Sequence, residues 1–93
     1  MREIKQTSAF KRDLNREAKG QHKEFLARQF AQLVERIAKD EPLGMQHRDH
    51  PLVGEWKDHR DCHVRPDLVL IYRKPDDSTL QLVRLGSHAE LSL

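Results

Sequence analysis

The sequence predicts an α+β fold in the order β-α-α-β-β-β, with a twisted antiparallel sheet covered on one face by an N-terminal helical hairpin. Two observations support this. Apolar residues recur at helical spacing before residue 40, and short apolar segments separated by turn residues follow Gly44. The chain has 93 residues, so we expect a single domain over residues 1–93.

The N-terminal part predicts one strand and two helices. Residues 2–7 form a short candidate strand, and Ser8 is a suitable N-cap for a helix that stops near Gly20. The apolar face of this helix is spaced by four residues: Phe10, Leu14 and Ala18. A second helix is predicted over residues 21–39, with an apolar stripe of Leu26, Phe30, Leu33, Val34 and Ile37.

The C-terminal part predicts three strands joined by turns. Residues 52–64 alternate polar and apolar positions, residues 68–73 form an apolar run, and residues 79–85 form the last strand. Successive side chains of a strand face opposite sides, so Asp61 and His63 should share one face. Cys62 and Val64 should lie on the other.

Composition excludes several classes of protein. Lys plus Arg is 17 and Asp plus Glu is 15, so the net charge is only +2. No apolar run approaches the roughly 20 residues of a membrane span, and the N-terminus lacks the apolar stretch of a signal peptide. The single cysteine, Cys62, cannot form an internal disulfide. We therefore expect a cytoplasmic protein without a membrane partner.

Charge and histidines are distributed unevenly. Residues 1–40 hold ten bases and six acids, a net +4, whereas residues 41–93 hold seven bases and nine acids, a net −2. Five of the six histidines lie at or beyond position 47. The spacing allows four groups to converge on one sheet face: His50, His63, Asp67 and His88. The basic half is suited to polyanions, and the second half supplies groups that titrate near neutral pH.

Two segments carry a family resemblance. Residues 49–72, DHPLVGEWKDHRDCHVRPDLVLIY, and residues 84–89, RLGSHA, match fixed patterns at more than ten positions. They resemble the YafQ-type branch of the RelE/ParE toxin superfamily, and chain length and element order agree, so the resemblance covers essentially the whole chain. One departure is Ser92, where the family often has an aromatic residue that could stack on a base.

The resemblance implies a toxin of a type II toxin–antitoxin system that cuts messenger RNA in the ribosomal A site. It also implies a cognate antitoxin as partner, a RelE-like fold, and no cofactor or metal. The site residues carried over by position are His50, Asp61, His63, Asp67 and His88.

Cleavage of RNA without a metal requires a base for the 2′-hydroxyl, an acid for the leaving 5′-oxygen and cations near the phosphate. We assign His50 as base and His88 as acid, although the two roles could be exchanged. His63 and Asp67 would position or share the transferred proton. Phosphate-binding candidates are Lys57, Arg60 and Arg84. The expected product carries a 2′,3′-cyclic phosphate.

Other interpretations remain open at this stage. A zinc site could draw on His47, His50, His59, Cys62 and His63, although this spacing fits no standard zinc finger. The same fold could belong to a toxin without ribonuclease activity, such as a gyrase poison, or to a non-catalytic module that binds RNA or the ribosome. Trp56 and Tyr72 are expected in the core, and Cys62 is expected as a small buried apolar residue.

Overall fold

The structure is a computed structural model that describes residues 1–93. Its sheet has five strands in the order β1-β5-β4-β3-β2, and its helices lie in the N-terminal part. The strands and helices are β1 (Glu3–Gln6), α1 (Ser8–Glu17), α2 (Lys23–Arg28), α3 (Phe30–Ala38), β2 (His50–Pro51), β3 (Arg60–Arg65), β4 (Leu68–Asp76) and β5 (Thr79–Gly86). Single turns of 3₁₀ helix span Met45–His47 and Gly54–Trp56. No helix is both long enough and apolar enough to span a membrane.

The predicted α+β fold is confirmed, with two differences in detail. The strand β1 pairs with β5 in parallel, so the sheet is mixed, while all other neighbours are antiparallel. The predicted second helix over residues 21–39 is two helices, with a break at Gln29. Neither proline nor glycine marks this break, and the apolar stripe continues across it, so the sequence pattern could not reveal it.

The first helix is capped one residue earlier than predicted. The Thr7 side chain, not that of Ser8, accepts a hydrogen bond from the Phe10 N–H at 3.0 Å. Thr7 Oγ1 also donates to the Val83 carbonyl at 2.7 Å. The hydroxyl of Thr7 therefore both begins α1 and holds the helix against β5.

Both faces of the central strands are covered. The larger cluster lies between the sheet and the helices and includes the stacked rings of Phe10 and Phe30, whose centroids are 6.2 Å apart. A smaller cluster on the opposite face contains Val69, Ile71 and Leu91. Alternate residues of β4 enter different clusters, which explains the nearly continuous apolar run of that strand.

Helix α1 also closes an open edge of β5. The strand β1 pairs only with residues 79–82, so the backbone beyond that point has no strand on this side. The Leu85 N–H donates to Asp13 Oδ2 at 3.0 Å, and Arg16 Nη2 donates to the Leu85 carbonyl at 3.0 Å. Side chains of α1 thus satisfy backbone groups that would otherwise be free to pair with another chain.

Candidate active site

Strand pairing brings distant residues together on the face opposite the helices. His50 on β2 lies opposite Asp61 on β3. His63 on β3 lies opposite Val69 on β4, and Val69 in turn lies opposite Gly86 at the end of β5. His88 follows Gly86 by two residues, so the register of three strands delivers its ring to the same place.

Three of the four groups predicted to converge, His50, His63 and His88, lie together, and the carboxylate among them is Asp61 in place of Asp67. The ring centroids of His63 and His88 are 4.8 Å apart. The Nδ1 atom of His50 lies 3.0 Å from Asp61 Oδ1. One side-chain nitrogen or oxygen from each of Asp61, His63 and His88 lies within 4.8 Å of the others. Three imidazoles therefore surround one carboxylate at the surface.

The tautomer of His50 is set by the backbone. Its Nδ1 atom is 2.6 Å from the Arg48 carbonyl oxygen, which can only accept, so Nδ1 carries the hydrogen. When the ring is neutral, Nε2 is then a free proton acceptor. Asp61 Oδ1 is close to the same Nδ1 but lies outside hydrogen-bond geometry, so Asp61 acts on His50 through its charge.

Asp61 is a buried carboxylate, with 2% of the residue exposed. Desolvation by burial raises its pKa above the usual range, against the opposing influence of His50, His63 and His88. Its Oδ1 atom has no hydrogen-bond donor in the protein. An imidazolium beside it would be stabilised by the nearby negative charge.

His63 is shifted towards the neutral form. Burial lowers its pKa, and the neighbouring ring of His88 lowers it further, while Asp61 opposes both effects. Two adjacent imidazoles are not readily protonated at the same time, because their positive charges repel each other. A protonated His88 is therefore compatible with a neutral His63.

The terminal segment holds His88 in place. Ser87 and Glu90 exchange hydrogen bonds: the Ser87 N–H donates to Glu90 Oε1 at 2.9 Å, and the Glu90 N–H donates to Ser87 Oγ at 3.1 Å. Leu91, 3% exposed, anchors the segment in the smaller cluster beside Val69 and Ile71. The exposed ring of His88 thus lies on a backbone fixed from both sides.

Asp67 lies elsewhere than expected. Its side chain accepts a hydrogen bond from Gln21 Nε2 at 2.9 Å and lies 3.3 Å from Nε2 of the buried His22. The turn between β3 and β4 directs it towards the start of α2, and it is not among the groups that perturb His63. The carboxylate that accompanies the histidines is Asp61, the immediate strand neighbour of Cys62.

The three predicted phosphate-binding residues have different surroundings. Lys57 is exposed, and its ammonium has no ion-pair partner. Arg60 donates to Asp49 Oδ1 at 3.2 Å and keeps part of its side chain exposed. Arg84 differs from the prediction, because two of its nitrogens donate to Asp13 at 2.7 and 3.3 Å and so join β5 to α1.

A supporting network beside His50 was missed by the sequence analysis. The Tyr72 hydroxyl donates to Asp49 Oδ1 at 2.7 Å, and Arg60 donates to the same atom. Hydrogen bonds from two sheet residues, Tyr72 and Arg60, therefore fix Asp49, which immediately precedes His50. The residues belong to the matched 49–72 segment, but only the register of β3 and β4 shows that they meet.

The zinc interpretation is not supported by the observed arrangement. His47 uses Nδ1 to bind the backbone carbonyl of His63 at 2.8 Å, and Cys62 faces the helix-side core. Burial raises the pKa of the Cys62 thiol to about 12, so it is neither a ready ligand nor a nucleophile. The expectation of Cys62 and Tyr72 as buried residues is confirmed. The only residues placed to share a cation are Asp61, His63 and His88.

A cleft of about 450 Å³ opens beside the histidines. His50, Asp61 and His88 form one side of it. The other side is formed by the loop after β2 and by the C-terminal residues: Leu52, Val53, Glu55, Trp56, Ser92 and Leu93. Its volume is in the range of sites that hold a small organic group, and acid–base groups line its wall.

Comparisons with known proteins show which family this chain is similar to. A family described as "Bacterial toxin of type II toxin-antitoxin system, YafQ" matches residues 2–93. The mRNA interferase toxin YafQ of Escherichia coli strain K12 is 52% identical over 50 residues, which are 54% of this chain and 53% of that toxin. The crystal structure of YafQ from E. coli strain BL21(DE3) has a TM-score of 0.81 and 34% identity, covering 98% of each chain.

YafQ of E. coli has also been solved in a complex with DinJ. The matched chain of that crystal structure superposes on this chain with a TM-score of 0.75 and 32% identity, and the match covers 98% of each chain. The similarity thus extends over all elements that carry the histidine cluster. This chain belongs to the YafQ family of bacterial toxins of type II toxin–antitoxin systems.

Proposed function

We propose that this toxin cuts messenger RNA in the ribosomal A site by acid–base catalysis that needs no metal. That the chain is an endoribonuclease of the mRNA interferase class follows from its family and from its named relatives. The observation that supports the chemical mechanism is the cluster of His50, His63 and His88 around the buried Asp61.

The reaction begins at the ribose 2′-hydroxyl. Nε2 of neutral His50 accepts its proton, and the 2′-oxygen attacks the adjacent phosphorus. Protonated His88 then gives its proton to the departing 5′-oxygen, so the products carry a 2′,3′-cyclic phosphate and a free 5′-hydroxyl. The roles of His50 and His88 could be exchanged. The tautomer imposed by the Arg48 carbonyl favours His50 as the base.

The remaining groups support these two transfers. Asp61 stabilises whichever imidazole is charged, and neutral His63 keeps His88 oriented and can relay its proton. Lys57 and the exposed part of Arg60 would neutralise charge on the phosphate oxygens. Asp67 lies outside the cluster and takes no part in either transfer.

Cutting of translated messages tests this mechanism. We expect His88→Ala to slow cleavage by about 10²–10⁴-fold, because general acid–base groups typically contribute that much. His88 is exposed, so the variant should fold normally. His59→Ala is the matched control, since His59 lies outside the cluster and binds the backbone carbonyl of Lys57. Primer extension locates the cuts.

The chemistry of the new ends gives an independent readout. A 2′,3′-cyclic phosphate and a 5′-hydroxyl are expected. A 3′-hydroxyl with a 5′-phosphate would exclude attack by the 2′-oxygen. Full activity of both His50→Ala and His88→Ala would exclude their proposed roles.

As a type II toxin the chain has a cognate antitoxin, like the YafQ that is complexed with DinJ. We place ribosome docking on the basic N-terminal half, whose net charge of +4 suits ribosomal RNA. A ribosomal substrate places this activity in the cytoplasm. Gyrase poisoning, or binding without catalysis, would leave the clustered imidazoles without a role.

A further inference from the structure

We infer that the cleft beside the histidines is a base-recognition subsite in which Glu55 favours a base that offers amino hydrogens, guanine above all. The inference rests on the proposed cleavage of RNA and adds a preference to it. The first supporting observation is the position of the cleft, which is lined by His50, Asp61 and His88. Whatever lies in the cleft is therefore adjacent to the bond that is cut.

The wall of the cleft away from the histidines carries uncovered apolar side chains. Val53 is 87% exposed and Leu93 is 40% exposed, although both are large apolar side chains. Leu52 and Trp56 lie beside them, half-buried against the smaller cluster. A wall of this kind, next to catalytic groups, offers a surface on which the face of a base can pack.

The backbone presents this wall. Gly54 has φ +68°, a left-handed conformation that residues with a side chain rarely adopt. No neighbouring atom lies within 4 Å of the position that a Cβ on Gly54 would take. The reversal at Gly54 separates Val53 and Glu55 and leaves both exposed. Ser92, also left-handed with φ 58°, similarly precedes Leu93 at the other end of the wall.

Glu55 determines which group fits. Glu55 is an exposed residue of the cleft lining, and no hydrogen bond or ion pair engages its carboxylate. The scissile phosphodiester would lie against the histidines, and the part of the cleft beside Glu55, whose negative charge repels phosphate, is suited to a base. A carboxylate only accepts hydrogen bonds, and guanine offers two adjacent donors, N1–H and the 2-amino group.

The other bases fit less well. Cytosine and adenine offer an amino group next to an acceptor nitrogen, so they would make one hydrogen bond to Glu55. Uracil offers a single N–H between two carbonyl oxygens, which would face the carboxylate unfavourably. Position 92 carries Ser instead of the aromatic residue that the family often has; the apolar wall supplies packing contact to any base, and Glu55 supplies the discrimination.

The test compares messages that differ in one codon. Each codon position is changed between guanine and uracil in a translated message, and cutting by wild type, Glu55→Gln and Glu3→Gln is measured by primer extension. Glu3 is an exposed glutamate on β1, at the opposite edge of the sheet, so it controls for loss of charge. We expect wild type and Glu3→Gln to prefer guanine at one position by about tenfold, as one charged hydrogen bond would give.

Glu55→Gln should reduce that preference to about twofold or less, since an amide can both donate and accept. Equal guanine and uracil cutting by wild type at all three positions would overturn the inference and leave the proposed function intact. An unchanged preference in Glu55→Gln would do the same.

A binding experiment distinguishes failure of the proposed RNA cleavage from failure of the base-recognition subsite. If wild type cut no translated message, the proposed function would fail. The subsite would then be judged by nuclear magnetic resonance titration with guanosine and uridine 3′-monophosphates. Shifts at the Trp56 indole that favour guanosine in wild type, and not in Glu55→Gln, would support the subsite. Equal shifts for the two nucleotides would overturn it.

Discussion

Asp61 is the residue on which the electrostatics of the site depend. Its carboxylate is buried, lacks a hydrogen-bond donor at Oδ1 and lies among three imidazoles. A group placed in this way costs stability, and in the proposed mechanism it supplies charge where a proton is transferred. Perturbed groups of this kind concentrate at functional sites.

Replacing Asp61 by asparagine should make the protein more stable and less active. Burial raises the pKa of Asp61, so its ionised form is less favourable in the folded protein than in the unfolded chain. The cost is absent at low pH, where both states are protonated. It grows as pH rises from the unfolded pKa of about 3.9 through the folded value, and it persists above.

We therefore expect Asp61→Asn to unfold at higher urea concentration than wild type at pH 7 and to match wild type near pH 3. Cutting should fall by at least about tenfold, because the negative charge beside the imidazoles is lost. Asp77→Asn, in the exposed turn after β4, is the control. A less stable Asp61→Asn protein at pH 7 would contradict this account.

At the scale of elements, the C-terminal segment after β5 acts as a clamp on His88. Leu91 holds it in the smaller cluster, the Ser87–Glu90 pair shapes its turn, and the Leu93 N–H donates to the His88 carbonyl at 2.9 Å. The segment is short, and few contacts fix it. Local opening of this segment should therefore precede global unfolding.

Leu91→Ala should release this clamp. Truncating a buried leucine typically costs about 2–5 kcal/mol, and here much of the loss should fall on docking of the segment. Faster hydrogen exchange at the Leu93 amide and slower cutting are the expected results. Leu33→Ala, in the helix-side core, is the matched control. It should lower the free energy of unfolding without selectively exposing the Leu93 amide.

Individual strands and helices also show how much of the fold the sequence could predict. Strands 68–73 and 79–85 were located because apolar runs and turn residues bound them. The face shared by Asp61 and His63 followed from strand alternation. The parallel pairing of β1, the break at Gln29 and the direction of Asp67 depend on tertiary packing. The Asp49–Tyr72 contact depends on strand register. Periodicity along the chain reports none of these.

For the whole molecule, the cations divide into structural and available ones. Arg84 is bound to Asp13, a residue that is 3% exposed. Burial raises the pKa of Asp13, but the hydrogen bonds from Arg84 and from the Leu85 N–H outweigh this and hold it low. Lys57 is exposed and has no ion-pair partner. Net charge alone does not distinguish the two roles.

Two alanine variants should separate these roles. Arg84→Ala removes the Arg84 hydrogen bonds from the buried Asp13, which keeps Arg16 and the Leu85 N–H as donors, so we expect a loss of about 1.5–3 kcal/mol in urea unfolding. Lys57→Ala should barely change stability. It should reduce the slope of log affinity for ribosomes against log salt by about 0.7–0.9, the value expected for one phosphate contact. Binding measured between 50 and 200 mM salt provides the slope, and equal slopes for Lys57→Ala and wild type would remove Lys57 from the RNA contact.

The contacts between α1 and β5 have a consequence for copies of the chain that meet one another. The backbone groups along one side of Val83 and Leu85 are already hydrogen-bonded, to the side chains of Thr7, Asp13 and Arg16. A strand of a second molecule therefore finds no free backbone group to pair with there. The remaining margins of the sheet are a four-residue strand, a two-residue strand that contains Pro51, and the end of β3, where His47 binds the His63 carbonyl. An unbound copy of this toxin is thereby protected from polymerising through its own sheet.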